Sequence, residues 1–164
     1  MPLSSDKEKL REVAELLKND QRNEARLLLV EVADNFASRG LHKQAANLYE
    51  KAGLLARDLY LADECFGLME SATVMLLREG DAEVHPELVR LNIQAGEIAE
   101  EATEYKMASD FYMRATDFAG SDEEKDHLMI RAADALETLL VEYHLHQDMS
   151  RNNHDTLHMD HHRT

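Results

Sequence analysis

The chain has 164 residues and carries 33 Asp and Glu against 18 Lys and Arg, a formal net charge of -15. Such a charge repels nucleic acid and anionic membrane surfaces, which leaves basic or neutral partners as the better fit. The single cysteine, Cys65, excludes an internal disulfide framework, and the polar first residues and the lack of a long apolar run speak against a secretion signal or a membrane span, so the expected setting is cytoplasmic.

Two prolines, six glycines, no tryptophan and apolar positions that recur at helical spacing predict an all-α chain. The first helix opens at a Ser5-x-x-Glu8 capping box and turns Leu10, Val13 and Leu17 inward. After Asn19-Asp20 a second helix buries Ala25, Leu28, Leu29, Val32, Ala33 and Phe36 and stops at Gly40, which tolerates a left-handed conformation. The third carries Ala45, Leu48, Tyr49, Ala52 and Ala56; the fourth carries Ala62, Cys65, Phe66, Met69, Thr73 and Leu76 up to Gly80. Pro86 suits the first turn of a fifth helix with Leu88, Leu91, Ala95, Ile98 and Ala102 inside, and the sixth buries Ala108, Phe111, Tyr112, Ala115 and Phe118. A second capping box, Ser121-x-x-Glu124, starts a last helix whose apolar surface, Leu128, Ala132, Ala135, Leu136, Leu139, Leu140 and Tyr143, is expected to close the end of the stack.

Sliding the chain along itself until Ala45 falls on Ala108 also lays Tyr49 on Tyr112, Ala52 on Ala115 and Ala56 on Ala119. Helices two to four and five to seven thus read as two three-helix copies, about residues 20-79 and 83-142, behind an N-terminal cap helix. The helical domain is expected over residues 1-146, followed by a flexible tail over 147-164.

Ala33, Phe36, Gly40, Ala45, Tyr49 and Ala52, and again Gly96, Tyr105, Ala108, Tyr112 and Ala115, resemble the packing signature of the tetratricopeptide family and of irregular relatives such as the soluble attachment proteins of membrane fusion. The chain departs from that family in having no tryptophan at the head of either repeat and no proline after either second helix. The resemblance implies a short right-handed α-solenoid of about seven antiparallel helices that binds another protein. It places the inner groove at Leu27, Val30, Asp34, Arg90, Ile93, Glu97 and Glu101. An apolar strip edged by carboxylates suits a basic or amphipathic peptide and disfavours a carboxylate terminus. The expected function is therefore a non-enzymatic interaction scaffold that needs no cofactor, with a homo-oligomer as a further outcome, since the ends of helical stacks expose apolar surface.

From His144 to the last residue the chain holds six of its nine histidines. Neutral imidazole binds nickel, zinc and copper, so His144, His146, His158, His161 and His162 make a candidate divalent-metal site, and a metal-handling accessory protein is the alternative function. Two enzyme patterns are weaker. Arg151 followed by His158 resembles the motif of helical toxin nucleases but lies in the tail, and Glu124-x-x-His127 is one copy of a pair that a di-iron bundle needs twice. Cys65 sits in an apolar stripe with no histidine partner, as a structural thiol does.

Overall fold

The computed structural model describes residues 4-161, with side chains described within 5-154. It contains α1 (Ser4–Lys18), α2 (Arg22–Ser38), α3 (His42–Asp58), α4 (Ala62–Glu79), a 3-10 turn (Ala82–Val84), α5 (His85–Glu101), α6 (Tyr105–Thr116) and α7 (Asp122–His161). Among the described residues no strand occurs, and no helix is long and apolar enough to cross a membrane.

One turn geometry generates the stack. Asp20, Gly40, Tyr60 and Thr103 each hold a left-handed backbone, with φ of 58°, 76°, 60° and 59°. At each, the next residue's N–H reaches back by more than a full turn into the preceding helix: Gln21 to Leu16, Leu41 to Phe36, Leu61 to Ala56 and Glu104 to Ala99, all under 3 Å. The carbonyl of that same residue then accepts the first bond of the following helix, from Ala25, Ala45, Cys65 and Ala108. Helix stop and helix start share one short turn, so consecutive helices fold back antiparallel.

The core repeats with the turns. Ala25, Ala45, Cys65, Leu88, Ala108 and Leu128 occupy one equivalent position, Val32, Ala52, Ala72, Ala95, Ala115 and Ala135 another, and all are buried. Each helix with its turn is thus one unit. The spacing from unit to unit is constant and lengthens only between α4 and α5, where the 3-10 turn is inserted. The offset that lays Ala45 on Ala108 is therefore three single-helix units plus that insertion. Small residues recur because each helix must approach its neighbours closely on two sides.

Consecutive helices alternate between two layers. Arg26 of α2 pairs with Glu64 of α4, and Arg114 of α6 with Glu70 of α4 at 2.6 Å, while Phe66 and Phe111 meet at 6.0 Å across the same interface. In the other layer Arg90 of α5 pairs with Glu50 of α3 at 2.6 Å, and Arg131 of α7 with Glu97 of α5 at 3.5 Å. So α2, α4 and α6 form one row of helices and α3, α5 and α7 the other, with α1 covering α2.

Four expectations need correction. In α1 it is Leu16 that packs on the core, whereas Leu17 is 42% exposed, because the buried face begins at Asp6, which is fully buried. Asp6 accepts from Arg39 at 3.1 Å and Asn35 at 3.4 Å. Ser5 lies within α1 and not at its start. On α7 only Leu128, Ala132 and Ala135 are buried; Leu136, Leu139, Leu140 and Tyr143 face outward, and the helix runs on to His161 instead of ending at 146.

Candidate protein-interaction surface

The predicted groove residues do not come together. Leu27, Val30 and Asp34 are on α2, Arg90, Ile93, Glu97 and Glu101 on α5, and these helices lie in opposite layers. Each set is occupied locally. Asp34 accepts the hydroxyl of Tyr49, Val30 and Ile93 pack half-buried on the core, and Leu27 stands exposed. Arg90 donates to both carboxylate oxygens of Glu50, at 3.0 and 2.6 Å, and to Glu87 at 2.9 Å, and these bonds raise its pKa further. Glu97 meets Arg131, and Glu101 borders a hollow with Arg57, Tyr60 and Ile98. A three-helix sequence repeat laid on a two-layer stack puts equivalent helices on opposite sides, which is why the two halves part.

The histidines share one helix. His144 and His146 are exposed on α7, and their spacing on a helix turns them about 200° apart, so they cannot ligate one ion together. His158 and His161 belong to the helix but their side chains lie outside the described residues, as does all of His162. Among the described residues no group of three metal-ligating side chains gathers. Glu124 accepts from the Gly120 amide at 3.1 Å while its own amide donates to the Ser121 hydroxyl at 3.1 Å, a capping box whose return bond reaches one residue before the cap. Cys65 is fully buried, and burial pushes its thiol up to about 11, away from nucleophilic use at neutral pH.

What stands out is the free face of α7. Its inner side is fixed to the body by Leu128, Ala132 and Ala135, and by Arg131, which donates to the Tyr112 hydroxyl at 2.9 Å and lies 4.4 Å over the Tyr112 ring. The repeat identifies the outer side. Met129 and Leu136 occupy the positions of Ala46 and Gly53 on α3 and of Val89 and Gly96 on α5, while Leu139, two turns beyond Ala132 on the inner side, occupies that of Ala56 and Ala99. Those six are buried, and at the two glycines it is the following helix that covers them. A Cβ on Gly53 would lie 3.2 Å from Met69 of α4, and one on Gly96 2.5 Å from the Tyr112 ring of α6. No helix follows α7 in the described chain, and Met129, Leu136 and Leu139 are 44%, 43% and 36% exposed, with Ile130, Leu140 and Tyr143 of the same helix and Met113 of α6 also exposed.

The body also ends before the helix does. Glu100, Tyr105, Arg131, Asp134 and Thr138 border one hollow, which places the start of α6 beside Thr138. From Leu139 to His161 the helix projects for roughly 35 Å. Apolar spacing alone assigns this surface to the core; the signal that corrects it is the contrast between glycine at 53 and 96 and leucine at 136.

No protein-family model and no curated protein matches the chain. Among solved structures it is similar to the DHF58 filament, with 18% identity over 88% of this chain and 82% of that one and a TM-score of 0.55, a likeness of fold alone.

Proposed function

We propose that the chain is a non-enzymatic protein-interaction scaffold whose open end, the outer face of α7 beside α6, receives an amphipathic helix. The observation that carries the reading is the exposure of Met129, Leu136 and Leu139 at positions that are buried on α3 and α5. Terminal repeats of helical stacks present polar outer faces for solubility, whereas α7 exposes an apolar stripe on its outer face. Asp122, Asp126 and Glu137 flank the stripe on α7 itself, so a partner helix with basic flanks is favoured over an acidic one. The resemblance of Ala45, Tyr49 and Ala52, and of Ala108, Tyr112 and Ala115, to the tetratricopeptide packing signature is in keeping with the same class of function.

The test is fluorescence anisotropy with two labelled amphipathic helical peptides of equal apolar face, one flanked by arginine and one by glutamate. The arginine peptide is expected to bind, and the Leu136→Glu/Leu139→Glu double variant to weaken it at least about tenfold, the loss of roughly 1.4 kcal/mol. Equal binding of both peptides, or affinity unchanged in the variant, contradicts the reading.

A further inference from the structure

The free stripe of α7 continues past the end of the body as far as Tyr143, beyond which the same face carries Gln147, Ser150 and Arg151, and its two parts lack complementary things. Up to Thr138 the helix borders a vacant place in the layer of α6, with Met129 and Leu136 facing it. From Leu139 onward the same stripe, Leu139, Leu140 and Tyr143, runs along a helix that no other described element accompanies. One chain thus holds an open slot and an amphipathic segment with no slot of its own. We infer that two copies of the chain pair antiparallel through α7 about a two-fold axis near Leu139 and Leu140, each laying Leu140 and Tyr143 of its projecting part against Leu139 and Leu136 of the other. The inference rests on the reading of this face as the interaction surface.

Spacing, packing distance and charge choose this occupant. Met129, Leu136, Leu139 and Tyr143 follow one another at heptad-like intervals, the seam of two helices crossing at a shallow angle. An eighth repeat helix fits less well. Gly53 and Gly96 let the following helix touch the backbone, whereas Leu136 at the same position holds a neighbour at the distance of a leucine seam, about 8–10 Å between axes. Direction follows from charge. Residues 122-138 carry Asp122, Glu123, Glu124, Asp126, Asp134 and Glu137 against Lys125 and Arg131, whereas residues 139-154 carry Glu142 and Asp148 against Arg151. Antiparallel pairing lays each acidic half on the nearly neutral half of its mate; parallel pairing would stack the two acidic halves. With α7 roughly 60 Å long, both seams form at once and the contact closes as a dimer.

Sedimentation equilibrium of the full chain, from low to high micromolar, is the test. The expected result is a dimer that becomes a monomer in Leu136→Glu/Leu140→Glu, with unchanged helical circular dichroism, and stays a dimer in Leu27→Glu on α2. Under mild oxidation Leu140→Cys should form an intermolecular disulfide and Met129→Cys should not. A monomer at all concentrations, a dimer untouched by the double variant, or equal cross-linking at both positions overturns the pairing. A monomer that still binds the arginine-flanked peptide refutes the pairing and leaves the scaffold reading intact; a monomer that binds neither refutes both.

Discussion

Tyr60 holds a φ of +60° and is 95% exposed, at the turn position where Gly40 stands one unit earlier. A left-handed backbone costs a side-chain-bearing residue about 1–2 kcal/mol, and the exposed ring recovers little by packing. Tyr60→Gly is therefore expected to stabilise the chain by about 0.5–1 kcal/mol in urea unfolding, after the greater freedom of glycine in the unfolded chain is set against the relieved strain; a loss would mean that the ring holds the turn. Gly96→Ala should do the opposite. Its Cβ would sit 2.5 Å from the Tyr112 ring, which Arg131 and burial hold in place, so a loss of at least about 1–3 kcal/mol is expected. The same residues explain what could be read from sequence. Gly40 announces its turn, whereas Asp20, Tyr60 and Thr103 adopt the same backbone without any glycine to announce it, so the single-helix period stays hidden behind its threefold multiple.

At the scale of the element, the helices and their inward faces from α2 to α6 are legible because apolar spacing reports burial when neighbours exist on both sides. On α7 it fails beyond Ala135: an apolar stripe looks the same whether its partner lies in the chain or in another molecule. Complete burial of each exposed leucine would contribute about 1.5–3 kcal/mol, so a partner that covers Leu136, Leu139 and Leu140 gains a useful share of its affinity there. The N-terminus of α7 depends on the capping box, and Ser121→Ala is expected to cost about 1 kcal/mol and to raise amide exchange in the first turn, since the Glu124 amide loses its acceptor. The candidate groove was not legible. Whether α2 and α5 share a layer depends on the parity of the helix count between them, which residue patterns do not encode.

At the scale of the molecule, the ladder of Arg–Glu pairs between alternate helices and the repeated turns make a nearest-neighbour stack in which each helix stabilises the next. Tyr49 and Tyr112, both in its core, set an alkaline limit. Burial first, then hydrogen bonding to Asp34 and Glu100, raises both phenols above their ordinary value of about 10. The folded state favours the neutral phenols, so their contribution is complete below about pH 10 and is lost as pH rises through the raised folded values. Urea midpoints should thus fall above about pH 10, and less so in Tyr49→Phe. The proposed interaction surface lies at one end of the stack, on the exposed face of α7. Hydrogen exchange measured on dilute protein, then on concentrated protein or with the arginine-flanked peptide, tests that most directly. The account predicts new protection confined to α7 from Asp126 to about His154 and to the part of α6 around Met113; protection arising instead around Leu27, Val30 and Ile93 would contradict it.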